Sequence, residues 1–144
     1  MKPIHLITTS IALLVFALSF ATARSSYGSL LSSQYKLEKD PIAKKAGCQF
    51  CHSTPFGGRS WNKFGDSVRT QFDGAASRKI QDALYLVLKE NKDSDNDGYS
   101  DALEVVAKTL PGDAKSKPSA TIADLEEQLK KLGGVDAFKP VVAK

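Results

Sequence analysis

The sequence is short of the residues that usually build an active site or a disulfide frame. It holds two cysteines, two histidines, one methionine and one tryptophan. With cysteine only at positions 48 and 51, no multi-bridge framework can hold the chain together. Two histidines, His5 and His52, beside that single cysteine pair do not complete a four-ligand zinc set. No segment alternates apolar and polar residues as a strand would, and no stretch repeats at a fixed period. The lysines are dispersed without interleaved aromatics, which excludes a nucleic-acid platform. The apolar stretch Ile11–Phe20 is too short for a confident membrane span.

That stretch has a different reading. Lys2 supplies a positive start, Ile11–Phe20 an apolar centre, and Ala21, Thr22 and Ala23 a small-x-small cleavage site, so residues 1–23 are expected to be a secretory signal peptide. No cysteine near the cut could accept a lipid. The expectation is therefore a periplasmic or secreted protein of bacterial type, with no stable membrane span once the signal is removed. About 121 residues remain, enough for one modest core. Residues 24–91 carry 11 basic and 6 acidic groups and residues 92–144 carry 8 and 10, so the first half is the positive one and weakly favours an acidic partner.

Along the mature chain, residues 24–39 read as a flexible, Ser-rich lead with Tyr27, Leu30 and Leu31 among its few large groups. Asp40 before Pro41 is a helix start, with the aspartate capping and the proline at the first helical position. Ser53 to Ser60, containing Pro55, Gly57 and Gly58, reads as a loop. Trp61, Phe64, Val68 and Phe72 then form one helical stripe, and core packing explains that spacing better than a redox role for Trp61. Gly74 ends this helix. Ser77 is the expected cap of the next, which carries Ile80, Ala83, Leu84, Val87 and Leu88. Leu103, Val106, Ala107 and Leu110 mark a further helix stopped by Pro111 and Gly112. Residues 113–144 read as a linker, a last amphipathic helix and an aperiodic tail. That helix is capped by Thr121 with Asp124, carries Ile122, Leu125, Leu129 and Leu132, and ends at Gly133. The expected class is all-α, with residues 40–112 as the main domain.

Cys48, Gln49, Phe50, Cys51 and His52 form a Cys-x-x-Cys-His run, the attachment signature of c-type haem. On a helix over Lys45 to His52, the two thiols and the imidazole share one face. Two thioethers and one iron ligand can then come from a single turn. A thioredoxin-like redox pair would need a βαβ pattern, which is missing. Once the signal peptide has taken Met1 and His5, no Met or His is left for the far side of the iron. The sixth position must be open, borrowed from another molecule, or filled by a less usual group; Asn62, Lys63, Tyr99 and the new amino terminus are candidates, and a soft thioether is excluded.

Asp93, Asp95, Asp97, Gly98, Tyr99, Asp101 and Glu104 fill positions 1, 3, 5, 6, 7, 9 and 12 of a twelve-residue loop. Three carboxylates, the Tyr99 carbonyl, Asp101 directly or through water, and a bidentate Glu104 would make an oxygen cage for Ca2+, with Gly98 at the sharp turn. The acidic groups repel one another strongly without a cation. Position 8 is Ser100 rather than an apolar residue and no second loop exists, so a lone structural site is expected.

Over Ala46 to His52 the chain resembles the c-type cytochromes, and over Asp93 to Glu104 it resembles the EF-hand loop. A looser resemblance spans Gly57 to Glu104. Gly57, Gly58, Asn62, Phe64 and Gly65 ahead of an acidic loop are similar to the Gly-Gly-x-x-x-Asn-x-Phe-Gly layout of exported bacterial domains joined to calcium repeats, where a Cys-x-x-Cys-His often precedes it, and of temptin-like secreted proteins. These resemblances imply a small helical cytochrome-like domain with one covalent haem c and one structural Ca2+. It would act as an electron carrier with a redox partner rather than as an enzyme. Three other readings stay open: a five-coordinate haem serving as ligand sensor or weak peroxidase, a haem-bearing assembly subunit that self-associates through its lead and final helix, and a secreted calcium module with a Cys48 to Cys51 disulfide.

Overall fold

Every regular element among residues 27–141, the part that the computed structural model describes, is a helix. The expected signal peptide over 1–23 lies outside the described residues. In chain order the elements are α1 over 27–34, α2 Pro41–Ala46, α3 Lys63–Gly74, α4 Ile80–Lys89, α5 Asp101–Ala107, α6 Ile122–Leu132 and a closing 3-10 turn, Val135–Phe138. None of the described helices is long and apolar enough to cross a membrane.

Local chemistry sets several boundaries as expected. Asp40 caps α2 by accepting the Ile42 N–H at 3.0 Å, with Pro41 at the first helical position. Thr121 caps α6 by accepting the Asp124 N–H, and Gly133 ends it at φ 103°, a left-handed conformation that glycine adopts without a Cβ clash. Other boundaries move. Ser77 lies outside α4, whose cap position is Lys79. α5 stops at Ala107, before Pro111, because Lys108 turns left-handed at φ 61°. Its inner face is Ala102, Leu103 and Val105. Along α6, Leu125 is buried and Leu129 partly so, whereas Ile122 and Leu132 stay exposed.

Helices α3 and α4 pack together, α4 also meets the closing turn and α5, and α5 lies on α6. The expected flexible lead is corrected here. Residues 27–34 are helical, and Leu31, Tyr35 and Leu37 are buried in the core. Tyr35 donates its hydroxyl to the Leu84 carbonyl at 2.8 Å and meets Phe138 edge-on at 5.8 Å. Gln34 donates to the carbonyls of Gln81 and Phe138 at 2.7 and 2.9 Å. Such a segment is not a free arm for assembly.

The boundary expected at residue 112 also fails, since Phe138 closes the same core as α1 and α4. Phe138→Ala is expected to cost about 3 kcal/mol in denaturant unfolding. A tail that packed on nothing would show no change.

Candidate functional site

The haem-type motif begins two residues after α2 ends, with Gly47 between, so the expected continuous helix to His52 is shorter than anticipated. One hydrogen-bonded turn follows instead. The N–H groups of Cys51 and His52 both donate to the Cys48 carbonyl, at 3.2 and 2.9 Å. That turn keeps the i, i+3, i+4 relation of Cys48, Cys51 and His52. Phe50, fully buried, fastens it to the core.

Asn62 holds the turn from behind and is itself 8% exposed. Its amide donates to the carbonyls of Gln49 and Phe50 at 2.9 and 3.0 Å, and its Oδ1 caps α3 by accepting the Gly65 N–H at 2.7 Å. Asn62→Ala strands two acceptors and one donor and is expected to cost about 2–3 kcal/mol in denaturant unfolding. Asn62→Asp keeps the cap but aims a carboxylate at two carbonyls, so a smaller loss in that variant would contradict this account.

The residues between His52 and Asn62 form a closed loop. His52 and Trp61 pair as an antiparallel bridge, Ser53 N–H donates to the Ser60 carbonyl at 2.8 Å, and Asn62 N–H donates to the Cys51 carbonyl at 3.1 Å. Trp61 thus lies ahead of α3, not on it. Its indole stacks on the His52 ring with centroids 4.1 Å apart, and the Arg69 guanidinium lies 5.1 Å from the indole centroid. The core role expected for Trp61 is therefore corrected: it is half-buried and belongs to the site. Asn62 as a cap was the signal that could have separated Trp61 from the stripe of α3.

Cys48, Cys51 and His52 line one cleft of about 520 Å³. Leu31, Phe72, Ile80 and Leu84 add apolar surface, Gly57, Gly58 and Trp61 line it from the motif side, and Tyr27 and Phe56 are the exposed large groups on it. Its size and apolar lining suit a cofactor. The three side chains among the expected distal ligands are not brought to it, and the amino terminus lies outside the described residues. Asn62 is committed to the motif turn, Lys63 lines a separate polar cleft with Asp66 and Glu90, and Tyr99 donates its hydroxyl to the Ala120 carbonyl at 3.0 Å beside the acidic loop. Among the described residues, Asp73, Arg69 and Tyr27 are the charged or phenolic groups on the cleft.

Both cysteines are free thiols in this structure. Burial, with the neighbouring Cys48, pushes the Cys51 thiol up to about 12. A redox-active pair needs a thiolate near neutral pH, and Cys51 has the opposite environment.

In the acidic loop, backbone N–H groups aim the carboxylates. Asp93 accepts from Asp97 and Gly98 at 3.2 and 2.8 Å, Asp95 from Asp97 at 3.2 Å, and Asp97 from Tyr99 at 2.9 Å. One oxygen from each of Asp93, Asp95 and Asp97 lies within 4.8 Å of the others. Glu104 is 0% exposed. Burial first, then repulsion from Asp95, Asp97, Asp101 and Asp93, pushes its carboxyl up to about 9. Asp95 Oδ2, Asp97 Oδ2 and Glu104 Oε2 are all buried without a hydrogen-bond partner. Stranded carboxylate oxygens are costly alone and suit a hard cation. Asp101 is fully buried beside them. Its two oxygens accept the Ser94 N–H and hydroxyl at 2.9 and 2.8 Å, so it holds the loop closed; burial pushes it up to about 6.

Comparison of the chain with protein-family models, curated proteins and solved structures finds no match.

Proposed function

We propose that the chain is an exported monohaem c-type cytochrome whose fold is clamped by one Ca2+, and that it carries electrons to or from a redox partner protein. The observation that carries this reading is the apolar cleft with Cys48, Cys51 and His52 together on it. The residues fit the group: Cys48 and Cys51 would hold haem c through thioethers and His52 would ligate its iron, which supplies one-electron chemistry when bound. The protein's part is to keep that face dry and rigid. Phe72, Ile80 and Leu84 exclude water, and Asn62 fixes the turn. The stranded oxygens of Asp95, Asp97 and Glu104, with Asp93, support the calcium clamp, with Asp101 as loop fastener.

A second reading has one specific support. The side chains expected as sixth ligands, Asn62, Lys63 and Tyr99, all lie away from the cleft, so unless Tyr27 on its rim or the amino terminus, outside the described residues, closes the iron, the site is open to a small ligand and suits a sensor or weak peroxidase. Absorption spectra of the matured protein, oxidised and reduced, with and without carbon monoxide, separate the two. A redox-active pigment indifferent to carbon monoxide supports the carrier. Ready binding moves the second reading ahead, and a colourless protein from a host that matures c-type cytochromes ends both.

A further inference from the structure

We infer that Trp61 is a positioning residue for the iron ligand His52 and that Arg69 sets the charge beside it. Trp61 holds the imidazole and shields it from water, and Arg69 adds a positive charge, so that together they raise the reduction potential. The inference rests on the haem reading above and deepens it.

Three observations carry it. The backbone pins Trp61 opposite His52, through the bridge between them and the flanking bonds from Ser53 to Ser60 and from Asn62 to Cys51. The rings then lie 4.1 Å apart with a 33° tilt, close enough for stacking to restrict rotation of the imidazole. Gly57 closes in on the same imidazole: a Cβ built there would stand 3.6 Å from His52 Cδ2 and 3.7 Å from Nε2. His52 is thus flanked by an indole and by a backbone segment.

The charge argument follows from Arg69. Its guanidinium lies 5.1 Å from the Trp61 centroid, and both side chains line the cleft that holds His52. A cation beside the cleft disfavours the more positive oxidised iron. Asp66 pairs with Arg69 at 3.4 Å and Asp73 lines the same cleft, so the net field is moderated rather than removed. Arg69 is half-exposed, and salt should weaken its influence. Trp61 acts by a different route. Removing the indole admits water to His52, and a wetter site favours the oxidised state.

The test uses the matured protein and its Trp61→Ala, Trp61→Phe and Arg69→Gln variants. Covalent haem is measured first, after denaturation, and then the midpoint potential and the hyperfine-shifted His52 ring resonances in the NMR spectrum of the oxidised protein. Trp61→Ala should raise the oxidised to reduced ratio at a fixed applied potential about tenfold and shift or broaden the ring resonances, while Trp61→Phe recovers most of both. Arg69→Gln should raise the ratio about two- to threefold at low salt, leave the ring resonances nearly unchanged, and lose its effect in high salt. A purely structural Trp61 would lower the melting temperature and move neither readout, which overturns the inference while the haem reading stands. A wild-type chain without covalent haem overturns the haem reading itself.

Discussion

Gly65→Ala is expected to destabilise the fold by more than about 4 kcal/mol and to abolish stable haem attachment. A Cβ at that position would stand 1.9 Å from the Cys51 carbonyl oxygen, 2.7 Å from its carbon and 2.9 Å from its Cα. Nothing in that contact can yield cheaply. The carbonyl belongs to the motif turn and accepts the Asn62 N–H at 3.1 Å, and the Gly65 N–H is itself held by Asn62 at 2.7 Å. Gly65 is therefore the point where α3 and the Cys48 to His52 turn come into backbone contact. Gly74, at the end of the same helix, meets nothing within 4 Å. Gly74→Ala is the control and should be neutral or slightly stabilising. Denaturant unfolding and the haem content of both variants check the contrast. Equal, mild effects would mean that the motif turn does not lie against α3.

On the proposed calcium clamp, removal of Ca2+ is the second large effect. At a cation concentration a thousandfold above Kd, a bound ion would contribute about 4 kcal/mol, and chelation should remove it. The effect should depend on pH with a definite sign. Without the cation, folded Glu104 titrates at about 9 and folded Asp101 at about 6, both raised first by burial. Between the ordinary carboxylate range and those values the folded chain binds more protons than the unfolded one, so cation-free stability falls as pH rises through that window. Cation binding requires the ionised carboxylates and strengthens as pH rises. Chelation should therefore lower the melting temperature strongly at pH 8 and much less at pH 5. Glu104→Gln should abolish the difference made by the cation. An identical melting curve with calcium and with chelator at pH 8 would contradict the clamp.

The parts legible in the sequence are those decided within a few residues. Asp40 and Pro41 start α2, Thr121 starts α6 and Gly133 ends it because each acts on its own backbone. The acidic loop was readable for the same reason: its carboxylates accept N–H groups two to five residues away. The parts that were not legible depend on distant partners. α1 looked like a free lead because Gln34 finds its acceptors 47 and 104 residues along the chain, and Tyr35 finds its own 49 residues away. Phe138 sat in an aperiodic tail, and periodicity cannot report a single aromatic anchor.

Trp61 shows how a correct pattern can include one residue too many. Phe64 and Val68 are buried on α3 as the stripe predicts, but the cap formed by Asn62 stops the helix short of Trp61 and leaves the indole to His52. Asp101 adds a contact that the loop pattern did not announce, since both its oxygens also accept hydrogen bonds from Ser94. Pattern supplies the residue type at each position, while competition among nearby donors decides where its lone pairs go.

The measurement that tests the central claim most directly is the intact mass of the exported chain under denaturing conditions, after expression in a host that matures c-type cytochromes. The account predicts a mass equal to the mature polypeptide plus one haem, with the increment lost when Cys48 and Cys51 are both replaced by alanine. A mass equal to the bare polypeptide, or to that polypeptide less two hydrogens from a Cys48 to Cys51 disulfide, would contradict it.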